Sequence, residues 1–281
     1  AETMTTKTQT RFRRKPISLP FRFQARDLEI LKAIHSSDGM LARRQIKDQF
    51  WPNASWQAME RRLMLLFHAG YLDMPDIDQR RTYGIPEPIV WLGWRGILTL
   101  AAESGIEIEA PAAANENQLR KLETQVRQAG IHWKREPRWS QLSHDIAVND
   151  FRYSVEKAVE KWPSLTMDEW LPEGEFFRNM DTIELPSSNR KRKKGIRPDG
   201  FFVLVDHLRQ INNSPAKARF LLELDNSTHP LDRFGLNKAL PGLAYIRSDA
   251  YRRRFGFNSG RWLVVCKSQT RLFNLKAKTE K

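Results

Sequence analysis

Three carboxylates and one lysine stand where a phosphodiester could be cut. Asp199 follows Pro198 and precedes Gly200; Glu223 and Asp225 close the run Leu221-Leu222-Glu223-Leu224-Asp225; Lys238 comes later, in a segment of helical pattern. Carboxylates are the hard ligands that Mg²⁺ prefers. A divalent ion held by them lowers the pKa of a bound water and supports charge on the phosphate. A nearby lysine can orient that water or stabilise the transition state. The bland reading is a Pro-Asp-Gly turn and two solvated strand-end acids. Against it, Glu223 lies among leucines, and a charge inside an apolar strand is costly unless it is paired or bound.

The elements that must position these groups follow from the pattern. Residues 201–205 and 220–224 are short, apolar and β-rich, and neither length suits a helix, so both read as buried strands. Asp199 then opens the first strand. Glu223 and Asp225 fall near the end of the second and on one face, because strand side chains alternate. Residues 212–217 read as the loop between them. Upstream, residues 165–171 read as another strand, followed by Pro172, Glu173 and Glu175. Glu173 is the acid expected to join Asp199 and Glu223 as a metal ligand, with Glu175 as runner-up.

Residues 139–163 carry apolar anchors at Ile146, Phe151, Val155 and Val159, and a polar stripe of Asp145, Asn149, Arg152 and Glu156 at helical steps. Ser143-His144-Asp145 has the residue types of a hydrolase triad, but no Gly-x-Ser-x-Gly context accompanies it. His144 therefore reads as structural, or as a polar neighbour of a site. The segment 187–194 holds Arg190, Lys191, Arg192, Lys193 and Lys194. It reads either as a solvated loop or as a clamp for substrate phosphates. Residues 231–245 read as a helix that Pro241 kinks or divides. Residues 252–254 add a basic patch, 261–266 a final strand, and 272–275 a short edge segment.

The first half has a different pattern. Asp27 can cap a helix burying Leu28, Leu31 and Ile34. A short helix follows over 42–50, with Ile46 and Phe50 inward. Ser55 caps a longer one that Gly70 ends, with Met59, Leu63 and Leu66 buried. Residues 71–92 then read as a two-strand ribbon with Arg80 and Arg81 near its tip. Three helices and a basic ribbon describe a winged helix-turn-helix. The helix near 55–69, with Trp56, Gln57 and Arg61, would enter a major groove. Arg43, Arg44 and Lys47 would lie near the backbone, and Arg80 and Arg81 would touch the flanking groove or phosphates.

The whole chain bounds these readings. It has 281 residues, 47 basic against 33 acidic, for a net charge of +14. That excess favours a polyanionic partner, most simply nucleic acid. Residues 1–20 are polar and basic and read as a flexible arm that can lie along phosphates. The single cysteine, Cys266, excludes an intrachain disulfide and a cysteine-cluster zinc site, and suits a reducing compartment. No apolar run reaches the ~18 residues of a membrane span. Residues 1–15 lack the apolar core of a signal peptide. The expected location is cytoplasmic, with no membrane partner.

The order helix, strand, strand, strand, helix, strand in the second half resembles the core of the PD-(D/E)xK nuclease superfamily. Pro198-Asp199 and Glu223 match its signature, while Asp225 occupies the usual lysine position. Some related nucleases move that lysine to the neighbouring helix, which makes Lys238 the candidate. Across residues 26–275 the chain also resembles the replication-relaxation family of plasmid and mobile-element proteins, which includes mobilisation accessory factors. Arg61-Arg62-Leu63, His144-Asp145, Asn149-Asp150-Phe151-Arg152, Trp170-Leu171-Pro172-Glu173, Pro198-Asp199-Gly200, Glu223-Leu224-Asp225 and Arg254-Phe255-Gly256 carry that likeness.

The expectation is an α+β chain: a basic arm (1–20), a winged helix-turn-helix (21–105), a linker with a connecting helix (106–138) and a restriction-endonuclease-like α/β core (139–281). The resemblance implies a DNA-binding protein that hydrolyses DNA phosphodiesters with Mg²⁺ or Mn²⁺ in plasmid or mobile-element DNA processing. Asp199, Glu223, Asp225 and Lys238 would be catalytic; Asp199, Glu223 and Glu173 would hold the metal. Double-stranded DNA is the expected partner, with a homodimer and a replication or mobilisation protein as further ones. The alternative is a non-catalytic DNA-binding factor built on a nuclease-like scaffold, so the enzymatic assignment stays open.

Overall fold

The computed structural model describes residues 14, 21–112, 114–185, 192–226 and 230–280. The chain separates into two compact units, Ala1–Ile146 and Ala147–Lys281, and the division falls inside one helix.

The first unit runs α1 (Ala25–Ser36), β1 (Met40–Ala42), α2 (Arg43–Phe50), α3 (Trp56–His68), β2 (Leu72–Asp73), α4 (Ile77–Tyr83), β3 (Ile89–Leu92), α5 (Trp94–Glu103) and α6 (Glu116–Gln128). Its three strands form an antiparallel sheet in the order β1-β3-β2. Ile30, Leu31 and Ile34 of α1, Ile46 of α2 and Met59, Leu63 and Leu66 of α3 are fully buried beneath it. This apolar spacing at steps of three and four is what turns the helices inward.

Two local expectations change here. Asp27 does not cap α1 from outside. It lies inside the first turn, where its carboxylate accepts the Gln24 N–H (2.8 Å) and is forked by the Arg62 guanidinium. Arg80 and Arg81 do not stand at a ribbon tip. They lie on α4, a helix opened by Asp76, whose side chain accepts the Gln79 N–H at 2.7 Å. That local capping satisfies orphan N–H groups and lets a short, mostly exposed helix form without an apolar stripe. Arg14 of the expected phosphate arm is engaged within its own unit, donating to the Phe67 and Leu72 carbonyls at 3.0 Å each and pairing with Asp73.

The second unit takes in most of α7 (Leu142–Glu160), then β4 (Leu165–Pro172), α8 (Glu173–Arg178), β5 (Asp181–Leu185), β6 (Arg192–Ile196), β7 (Gly200–Ile211) and β8 (Ser214–Asp225). There follow α9 (Leu231–Phe234), a π-helical turn (Gly235–Ala239), α10 (Leu240–Ile246), α11 (Asp249–Phe255), β9 (Arg261–Cys266) and α12 (Gln269–Thr279). A mixed four-stranded sheet has the order β4-β7-β8-β9, with β8 and β9 parallel and the other pairs antiparallel. One face packs Phe201, Val203, Val205 and Leu221 against Phe176 of α8, Tyr245 of α10 and Tyr251 of α11. On the other face Phe202 meets Phe151 of α7, Trp170 of β4 and Phe220 of β8.

The central strands are longer than the apolar runs alone indicate, at 12 residues each. Their outer halves are solvated, with Leu208 84% exposed. The expected 212–217 loop is a two-residue turn, Asn212-Asn213, with both φ values positive (52° and 60°). Asparagine tolerates that backbone, and the turn lets strand pairing run to its tip. The basic run is not all loop either, since Arg192, Lys193 and Lys194 belong to β6, paired with β5. Residues 272–275 are not an edge strand. They lie in α12, which Ser268 caps and which buries Leu275. Among the described residues no helix is long and apolar enough to cross a membrane.

Candidate metal centre

The sheet brings two of the expected acids together. Asp199 sits just before β7, where β8 fixes both ends of it. Its N–H donates to the Leu222 carbonyl (2.8 Å) and its carboxylate accepts the Leu224 N–H (2.6 Å). Glu173 comes from the end of β4, as the first residue of α8. Both are buried, at 6% and 7% exposure, a costly position for unbound charges. His144, in the first turn of α7, completes the group. His144, Glu173 and Asp199 each offer a ligand atom, all within 4.8 Å of one another.

His144 was expected as a structural residue or a polar neighbour, and its part here was not legible. Its two companions are whole elements away in sequence, and no local spacing links them. The Ser143-His144-Asp145 triplet is no triad, because Asp145 turns to Arg138 (2.5 Å). Burial pushes the Asp145 carboxyl up, against the pull of that guanidinium. Glu175, the runner-up acid, bonds Arg178 and Asn179, each at 2.8 Å.

Cations surround the buried acids. Arg197 lies 3.0 Å from Glu173. Lys238, in the π-helical turn, lies 2.7 Å from Glu223, whose side chain is 4% exposed. Asp225 shares the face of Glu223 but is engaged elsewhere. Arg271 of α12 forks its two carboxylate oxygens at 2.6 and 3.2 Å, and its side chain is wholly buried. Glu223 and Asp225 therefore meet different cations from different helices.

The expected DNA-contacting residues divide in the same way. Trp56, Gln57 and Arg61 lie exposed on α3, and Arg81 is exposed on α4. Arg80 is half-buried and borders a small cleft with Trp56 and Met74. Arg44 pairs with Glu87 (2.9 Å), and Lys47 closes the end of α2 by donating to the Trp51 carbonyl (2.6 Å). Arg43 is buried and forked on Glu60 (2.9 and 2.7 Å), so it serves the interior of its unit. Lys193 is exposed and Lys194 half-buried on β6. Arg190, Lys191 and the Arg192 side chain lie outside the described residues, as does the 1–20 arm apart from Arg14.

A family model described as replication-relaxation matches residues 31–255, which spans both units. The chain belongs to the replication-relaxation family. A comparison with curated proteins finds no match.

Proposed function

We propose that this replication-relaxation protein binds duplex DNA through its first unit and hydrolyses a phosphodiester at a divalent-cation centre in its second. The processing of plasmid or mobile-element DNA is the setting that suits its family. The observation that carries the reading is the convergence of His144, Glu173 and Asp199, with Arg197 paired to Glu173.

The donor set fits a divalent cation. Two carboxylates and one imidazole suit Mn²⁺ better than Mg²⁺, which favours all-oxygen surroundings. An ion bound there would supply Lewis acidity toward a scissile phosphodiester. The chain's own residues do the rest. Asp199 is held in one orientation by the backbone of β8. Glu223 steers the Lys238 ammonium, and Arg197 and Lys238 offer positive charge to a phosphate approaching the centre. The expected action of Asp225 beside Glu223 gives way to a structural pair with Arg271. A titration of Mn²⁺ into the full-length protein tests the centre. Wild type binds one ion, and His144→Ala weakens that binding by at least about tenfold. Equal affinity in both would remove His144 from the centre.

The order α1, β1, α2, α3, β2, α4, β3 with the sheet β1-β3-β2 supports a winged-helix reading of the first unit, with α4 set between the two strands of the wing. In that reading α3 enters the major groove with Trp56, Gln57 and Arg61, while Arg81 meets a flanking phosphate. Arg81→Gln should weaken binding to all duplexes alike and lower the slope of log affinity against log salt by about 1. An unchanged slope would take Arg81 off the phosphates. Two copies could read a symmetric site, and a replication or mobilisation protein fits as a partner. The second reading, a DNA-binding factor without catalysis, draws on Asp225. The residue at the usual lysine position is locked to Arg271, as in a scaffold.

A further inference from the structure

A cleft of about 220 Å³ opens in the second unit. Lys194 of β6, Arg197, Asn237 and Lys238 line it, with the Trp262 ring as part of its wall. Among the described residues that line it none is acidic. Its basic and amide lining suits a phosphate and part of its sugar. Two of its cations are already engaged. Arg197 is paired with Glu173, and Lys238 with Glu223. The Arg197 side chain is 42% exposed while that of Glu173 is 9% exposed, so the guanidinium has room to turn and the carboxylate does not.

We infer that this cleft binds one backbone phosphodiester of the substrate, and that Arg197 is exchanged between that phosphate and Glu173. The inference rests on the metal-centre reading of Glu173. A cation arriving at Glu173 competes with Arg197 for the same carboxylate and repels its positive charge. A phosphate in the cleft draws Arg197 the other way, with paired N–H donors matched to its oxygens. Each ligand therefore removes a cost that the other would meet. Linkage makes the effect reciprocal: the phosphodiester tightens cation binding by the same factor as the cation tightens phosphodiester binding. At limiting cation the centre therefore loads more fully when DNA is present.

The test uses the full chain, Mn²⁺ and the dinucleotide TpT, which offers one phosphodiester and no duplex. Free Mn²⁺ is followed by electron paramagnetic resonance. In wild type, saturating TpT should tighten Mn²⁺ binding about tenfold, within the usual range of site coupling. Thymidine, which lacks the phosphodiester, should leave it unchanged. Arg197→Gln should bind Mn²⁺ more tightly than wild type without TpT and show no further gain with it. Lys194→Gln touches neither carboxylate. It should weaken the TpT effect while keeping wild-type Mn²⁺ affinity in its absence. If wild type binds Mn²⁺ equally with and without TpT, or if Arg197→Gln keeps the full gain, the exchange is wrong while the metal centre stands. If wild type binds no Mn²⁺ under either condition, the metal centre and the exchange fall together.

Discussion

Asp199→Asn should lower metal-dependent DNA cleavage by at least about 100-fold while the protein still binds DNA. The substitution removes one negative ligand from the group with His144 and Glu173. Changing groups that merely orient a metal ligand already costs ~10–100-fold, so loss of a charged ligand sets a higher floor. Folding should survive, because the asparagine carbonyl can still accept the Leu224 N–H that the carboxylate accepts at 2.6 Å. Single-turnover cleavage, Mn²⁺ binding and DNA retention on the same preparation check this. Cleavage within threefold of wild type would move the chemistry away from β7.

Asp27→Ala should have the largest effect on stability, lowering that of the first unit by about 3 kcal/mol. The Asp27 side chain is wholly buried, and its oxygens meet the Arg62 guanidinium and the Gln24 N–H. Its removal leaves the Arg62 charge, 14% exposed, without its main counter-ion against α1. Breaking such a buried pair from one side costs far more than replacing both partners with apolar groups. The double change Asp27→Leu with Arg62→Met should therefore recover much of the loss. Urea unfolding followed by tryptophan fluorescence measures both. The first unit can have its own transition, so the two units need separate fits. A single variant as stable as wild type would show the pair to be dispensable.

The apolar runs made the central sheet readable, because burial on both faces writes continuous hydrophobic stretches into β7 and β8. What they could not mark was where solvent takes over along those strands. Asn212-Asn213 looked like part of a longer loop, since the residues beyond it are polar for the ordinary reason that they are exposed. The capping signature Asp76-x-x-Gln79 was present in the sequence, but α4 has no buried face and so no periodicity to accompany it. The helix α12 in place of an edge segment bears on the site. Without that helix Arg271 had no place beside β8, and Asp225 was left looking like a third catalytic acid. Arg271 forks it instead.

Strand alternation puts Glu223 and Asp225 on one face, and Lys238, singled out through the nuclease resemblance, lies 2.7 Å from Glu223. Glu173 was legible from its place after an apolar strand. His144 was not, because a histidine in the first turn of a helix carries no sign of which distant strand ends it will meet. Arg43 shows the opposite problem. Its position among Arg44 and Lys47 suggested a phosphate-facing group, yet Glu60, on a separate helix, draws it inward.

The most direct measurement is conversion of supercoiled DNA to nicked or linear forms, beside linear duplex and single-stranded DNA, with Mn²⁺, Mg²⁺ or EDTA. It compares wild type with the double variant Asp199→Asn, Glu223→Gln. Wild type should cleave with Mn²⁺, more weakly with Mg²⁺ and not with EDTA, and the double variant should not cleave but should still bind DNA. Tight DNA binding by wild type with no cleavage of any form under any of these conditions would contradict it and leave a DNA-binding scaffold.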